Sequence, residues 1–157
     1  MGQFQIERQQ LGQKTLFTLK GPIDEDAILS GDYFKNISEI ELDLAQIQSI
    51  NSCGIREWIK WLSHTQSSQK ITFKNCPKLI VDQINMVAGF LPVNGVVESF
   101  FVPYFSEDSG EEKMILFRRG FEFDGSNIQA PDNVKGTSGE LMEMDVIESK
   151  YFNFLKK

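Results

Sequence analysis

Histidine and cysteine are almost absent from this sequence: His64 is the single histidine, and Cys53 and Cys76 are the only cysteines among 157 residues. A zinc site of four Cys and His ligands cannot be assembled from them, since they show no CxxC spacing. His64 sits in the polar stretch SHTQSSQK, with no arrangement of Ser, Asp or Cys that makes a nucleophile and its base. Glycine-rich phosphate loops are missing too, because Gly31, Gly54 and Gly89 stand isolated. The acidic residues form solvated runs, Asp24-Glu25-Asp26 and Glu107-Asp108 with Glu111-Glu112, with no partner base or nucleophile. No catalytic residue, metal-ligand set or cofactor is therefore assigned, and the chain reads as a non-enzyme.

Positive charge is in deficit, with 16 Lys and Arg against 22 Asp and Glu, net −6. That balance excludes a nucleic-acid surface built on phosphate neutralisation and a polybasic membrane surface. Long apolar runs are lacking, so no helix that inserts in a membrane is expected. The opening MGQFQIERQQ has no signal-peptide core. Met1-Gly2 begins like an acylation signal, but the sixth position is Ile6 and not Ser or Thr. A cytoplasmic protein with two reduced, mostly buried thiols is the expectation.

Apolar residues at 41% and charged ones at 24% suit one ordinary domain with a small appendage. Strands are expected at 4–8 and 16–19, joined by a turn at Leu11-Gly12-Gln13 and ended by Gly21-Pro22. Asp24-Glu25-Asp26 is placed at the start of a short helix carrying Ala27, Ile28 and Leu29. Glu39 to Leu44 alternates as a strand, and Ile47 to Asn51 connects it to the best helix of the chain. There Ile55, Trp58, Ile59 and Leu62 share one face, and Trp61 lies off it, as a partner contact or a cover for the core edge. Lys70–Lys74 is a strand. Pro77 opens a helix with the stripe Ile80, Ile84 and Val87, stopped by Gly89. Val96–Val102 is a last strand of this unit, which makes the fold class α/β.

Beyond residue 105 the texture changes. An acidic loop (106–112) leads to an apolar strand at Met114–Phe117 and the alternating pair Phe121 and Phe123. A polar loop spans Gly125 to Gly139, a strand is expected over Glu140–Asp145, and the apolar end 146–155 is expected to dock. The division is 1–105 for the main unit and 106–157 for an acidic loop and a small β-containing C-terminal appendage packed on it.

The junction Ile50-Asn51-Ser52-Cys53-Gly54-Ile55 opens the best helix. Ser52 stands where an N-cap belongs, so its hydroxyl has a structural use. The other reading is phosphorylation, since free N–H groups at a helix start stabilise added negative charge. Gly54 either eases the helix start or lets a partner approach closely.

The order of elements, with KGPID, IELDLAQIQSINSCGIREWIKWL and ITFKNCP, resembles a STAS domain over roughly residues 4–105. STAS is the fold of bacterial anti-sigma factor antagonists and of sulfate-transporter cytoplasmic tails. The resemblance implies a STAS-like mixed sheet with helices packed on it and a signalling module working by protein–protein interaction. The family loop usually reads Asp-Ser-Ser/Thr-Gly followed by Leu-Gly. Ser52 and Gly54 match its phosphorylatable serine and its glycine, and Ile55 replaces the leucine. Asn51 replaces the usual acid, Cys53 a hydroxyl residue, and Arg56 a small one. By resemblance the partner surface is Asn51, Ser52, Cys53, Gly54 and Arg56, and the partner is an anti-sigma factor or a related switch kinase. The tail, with Met144-Asp145 and Tyr151-Phe152-Asn153-Phe154-Leu155, resembles a zinc-ribbon-like segment without its cysteines. Two other functions are carried forward. One is a nucleotide- or lipid-binding domain with Phe90, Phe100 and Phe101 lining a pocket. The other is a structural subunit forming a homo-oligomer through Trp61 and the tail.

Overall fold

Residues 3–156 are described by the computed structural model, so the Met1-Gly2 acylation reading lies outside the described residues. Alternating patterns build the first sheet. β1 (Gln5–Leu11) and β2 (Lys14–Ile23) form an antiparallel hairpin about the turn at Gly12-Gln13. β3 (Glu39–Ile50), β4 (Lys70–Lys74) and β5 (Gly95–Val97) add on in parallel, giving the order β1-β2-β3-β4-β5. With α1 (Ser52–Leu62) and α2 (Lys78–Met86) in the crossovers, the chain is mixed α/β with a mixed sheet.

Both long strands outrun the sequence expectation. β2 passes through Gly21-Pro22 and β3 through Ile47 to Ile50, because their pairing survives two register shifts, at Thr18/Lys20 and Gly21/Pro22. Such bulges accommodate a proline, and Gly21 takes the φ of +88° that the shift requires. No helix forms at Ala27–Leu29. Asp24 instead makes a turn, its Oδ1 accepting the Asp26 N–H at 3.0 Å and its carbonyl the Ala27 N–H at 3.1 Å. Local side-chain bonding of this kind competes with helix. A 3₁₀ turn follows at Gly31–Phe34, capped by Ser30.

The buried face of α1 is Gly54, Trp58, Trp61 and Leu62, while Ile55 and Ile59 sit half-buried at its margin. Trp61 is therefore a core residue, 1% exposed, and is not available to a partner. Trp58 stacks on Phe90 at 5.1 Å and meets Phe73 edge-on, and Trp61 meets Phe17 edge-on at 6.3 Å. Each indole N–H finds a carbonyl, Trp58 that of Phe90 at 3.1 Å and Trp61 that of Ser30 at 2.9 Å. That pairing removes the cost of burying both rings. In α2, Pro77 is the residue before the first turn, and Ile80, Val81 and Ile84 are buried while Val87 lies just past the end.

The single strand expected at Val96–Val102 divides at Glu98. β5 stays in the first sheet, and β6 (Ser99–Phe105) turns away to pair antiparallel with β7 (Glu112–Arg118) and β10 (Glu143–Met144). The second sheet therefore has the order β10-β6-β7. Arg119 holds the corner, donating to the Val97 carbonyl at 2.7 Å. β8 (Phe123–Asp124), at the end of the alternating pair, and β9 (Asn127–Ile128), inside the region expected as loop, make a small hairpin. Of the strand expected at Glu140–Asp145, only β10 and an isolated bridge at Leu141 form.

The tail docks. α3 (Glu148–Tyr151) and a 3₁₀ turn at Asn153–Lys156 bury Tyr151, Phe152 and Phe154. Phe154 and Phe123 each lie 5.1 Å from Phe100, and Phe152 stacks on Phe117 at 5.9 Å. The Tyr151 hydroxyl donates to the Phe101 carbonyl at 2.5 Å, and Asn85 of α2 donates to the Tyr151 carbonyl at 2.9 Å. Residues of both sheets and the tail form one hydrophobic core.

Candidate functional site

β3 ends at Ile50, and the chain leaves the sheet through Asn51 in an extended conformation before α1 begins at Ser52. The N-cap is Asn51, not Ser52: its Oδ1 accepts the Gly54 N–H at 2.8 Å. A cap residue must stand outside the helix with extended φ and ψ, and Ser52 is already helical. Asn51 is held on its other side as well. Its Nδ2 donates to Glu25 Oε2 at 3.0 Å and its N–H to the Ile23 carbonyl at 3.3 Å. The Glu25 carboxyl is held below the usual carboxylate range by its own backbone N–H and then by the Asn51 amide.

This arrangement frees Ser52. It is exposed, and its hydroxyl makes no hydrogen bond among the described residues. The N–H groups of Ser52 and Cys53 likewise find no acceptor among the described residues, at the positive end of an 11-residue helix. Arg56 is exposed one turn on, with Nη2 at 3.9 Å from the half-buried Cys53 Sγ. Asn51, Ser52, Cys53 and Arg56 thus share one small surface.

Gly54 does not join them. It is buried, and a Cβ built there would press on the Ile23 carbonyl oxygen and lie 2.7 Å from the carbonyl carbon. The close approach that requires glycine is to the chain's own β2, not to a partner. Cys53 and Cys76 are both free, and burial, with Asp43 nearby, pushes the Cys76 thiol up.

Other candidates fall elsewhere. His64 packs over Gly31 on a broad polar groove of about 1510 Å³, shared with Arg8, Gln10, Lys35 and Gln66, at the end where the parallel strands begin. It lies at the opposite end of the sheet from Ser52. Phe90 and Phe100 are fully buried in different aromatic groups, and Phe101 is half-buried. Among the described residues, no group of three or more His, Cys, Asp and Glu is placed to hold a metal ion. No helix among them is long and apolar enough to cross a membrane.

One polar feature escaped the sequence reading. Glu41, 7% exposed, projects from the sheet face opposite Ile40 and Leu42, where Lys14 Nζ lies at 3.0 Å and Lys74 Nζ at 2.8 Å. Burial works to raise its pKa, yet the hydrogen bonds and charges of the two lysines outweigh this and hold the carboxyl below its ordinary range. The lysines are displaced along β2 and β4 from the residues paired with Glu41, so only the register brings the triad together.

No protein-family model matches this chain, and no curated protein matches it. The Ser52 surface therefore rests on its own geometry: an exposed hydroxyl with no hydrogen-bond partner among the described residues, on the first residue of a helix whose Asn51 cap is bonded to Glu25.

Proposed function

We propose that this chain is a non-enzymatic protein-interaction module of the STAS type, docking a protein partner through the first turns of α1 and switched by phosphorylation of Ser52. The observation that carries this reading is the division of labour at the helix start. Asn51 does the capping, so the Ser52 hydroxyl has no structural task and faces solvent. Support also comes from the placement of the Ser-Gly loop, which opens the helix between two parallel strands after an antiparallel hairpin.

The electrostatics suit a switch. A phosphate on Ser52 adds about 1.5 to 2 negative charges, beside free N–H groups that favour them. The same charge opposes Glu25, which is bonded to the preceding residue at 3.0 Å. Phosphorylation would then stabilise the helix end while repelling the Asp24–Asp26 turn, changing the surface on both sides of the junction. The acidic group that the family places at residue 51 is supplied here by Glu25, held against the Asn51 amide. By resemblance the partner is an anti-sigma factor or a switch kinase in bacterial cytoplasm, and a net charge of −6 suits a basic partner surface.

The test is affinity purification from source cells with wild type, Ser52→Ala and Ser52→Asp as baits, with mass spectrometry of Ser52 in the wild type. A partner retained by the alanine bait and lost by the aspartate bait, at unchanged circular dichroism, is the expected result. Equal retention by all three baits would refute the switch.

A further inference from the structure

We propose that Asn94-Gly95 is a self-modification site held closed by the fold: the folded chain locks the asparagine amide, and unfolding exposes it to deamidation, which marks the chain irreversibly. The inference does not rest on the Ser52 switch.

Asn94 is the only asparagine of the chain followed by glycine. In such a pair no side chain crowds the following nitrogen. Once its proton has gone to a hydroxide ion, the Gly95 nitrogen attacks Asn94 Cγ. An N–Cγ bond forms, the Cγ–Nδ2 bond breaks, and ammonia leaves with a proton taken from water, which restores the hydroxide. Water then opens the cyclic imide. Cleavage at Cγ gives aspartate. Cleavage at the main-chain carbonyl gives isoaspartate, whose backbone runs through the side chain and is longer by a methylene.

The folded chain ties down the groups that must move. Asn94 Nδ2 donates to the carbonyls of Gln66 at 3.1 Å and Gln69 at 2.8 Å. The Gly95 N–H donates to the Pro92 carbonyl at 2.8 Å, and the Asn94 carbonyl accepts the Ile71 N–H at 3.3 Å, where β5 joins β4. For the nitrogen to reach Cγ, the amide must leave both acceptors and the peptide must rotate away from Ile71 and Pro92. Deamidation therefore passes through a local opening, and its rate follows the population of the opened form. The fold also requires the pair that it guards. A Cβ on Gly95 would stand 2.9 Å from Leu91 Cδ1 and 3.0 Å from the Pro92 carbonyl oxygen. An aspartate at residue 94 only accepts when ionised, so it cannot satisfy the two carbonyls.

The product does not fit back. Aspartate sets a carboxylate against the carbonyls of Gln66 and Gln69. Isoaspartate inserts its methylene just before Gly95, which is in register with Ile71 at the start of a strand of three residues. The same turn is anchored by Gln69, whose Nε2 donates to the Phe34 and Ile37 carbonyls, each at 2.7 Å, so the damage extends to the cover of buried Phe34. Modification of the unfolded chain thus withdraws molecules from the folding equilibrium.

The experiment follows loss of the Asn94 amide in mildly alkaline buffer, by peptide mapping with mass spectrometry. The full chain and a synthetic peptide of residues 90–98 are compared with and without guanidinium chloride. In denaturant the two are expected to deamidate alike; without it, the chain is expected to be at least about tenfold slower than the peptide. Equal rates for the folded chain and the peptide overturn the proposal. Chain converted in denaturant is then separated by ion exchange and refolded, beside Asn94→Asp, which carries the aspartate product alone. Both are expected to melt below wild type or to fail to refold. A converted chain that melts with the wild type would make the modification inconsequential and overturns the proposal as well.

Discussion

Substituting Gly54 by alanine sets two physical effects against each other. Helix propensity alone predicts a gain of about 1 kcal/mol for alanine over glycine in a helix. The structure predicts a loss. The added methyl group would press on the Ile23 carbonyl oxygen and stand 2.7 Å from its carbon and 3.1 Å from Ile23 Cγ2. Ile23 cannot retreat, because it is paired with Ile50 in the sheet and its carbonyl receives the Asn51 N–H at 3.3 Å. The helix cannot retreat freely either, since Trp58 and Trp61 are buried and hydrogen-bonded beneath it. Overpacking against backbone costs about 1–3 kcal/mol, and the propensity gain offsets only part of it. A net loss of up to about 2 kcal/mol lowers the melting temperature by up to roughly 8 °C for a chain of this size. Calorimetry and urea unfolding of wild type and Gly54→Ala measure it directly. A rise in stability would refute the seating of α1 on the end of β2, and with it the geometry assigned to the Ser52 surface.

The remaining predictions use the same unfolding assays. Asn51→Ala should cost about 1 kcal/mol through the lost cap, whereas Ser52→Ala should stay within about 0.5 kcal/mol; the opposite ranking would return the cap to Ser52. Glu41 has a folded pKa below its unfolded value, so its contribution is present above the unfolded pKa of about 4.3 and is lost as pH falls through the folded one. Glu41→Gln should therefore reduce stability at neutral pH and flatten its acid dependence, and a variant with wild-type acid dependence would count against the triad. Phe154→Ala, which empties a site 5.1 Å from Phe100, should cost about 3–5 kcal/mol in urea unfolding if the tail belongs to the common core. A loss below about 1 kcal/mol would make the tail an independent attachment.

Local patterns proved legible wherever a single segment decided the outcome. The alternation at Glu39 to Leu44, the turn at Gly12, and the apolar spacing of α1 and α2 all locate elements that the structure contains. Failures cluster where a neighbour intervenes. Gly21-Pro22 reads as a strand end, but pairing with β3 carries β2 past it through a bulge. Val96–Val102 reads as one strand, but its halves pair in different sheets, and hydrophobicity is the same on both sides of Glu98. Trp61 reads as off the apolar face because helical spacing favours Ile55 and Ile59, whereas larger aromatic area and a carbonyl for its N–H draw Trp61 inward.

The candidate site divides in the same way. By itself the sequence determined that a polar Asn-Ser-Cys-Gly segment opens the best helix, that the chain carries net negative charge, and that histidine and cysteine are too few for a four-ligand zinc centre. These are properties of composition and of spacing along one segment. Only the tertiary structure decided that Asn51 caps the helix and leaves the Ser52 hydroxyl without a partner among the described residues, that Glu25 lies against Asn51 from 26 residues away, and that Gly54 yields space to the backbone of β2. It alone joined Lys14, Glu41 and Lys74, and left β7 at the edge of its sheet with no second strand beside it among the described residues. The physical reason is common to all of these. A hydrogen bond, an ion pair or a steric contact depends on distances between atoms that the chain brings together only through register and packing.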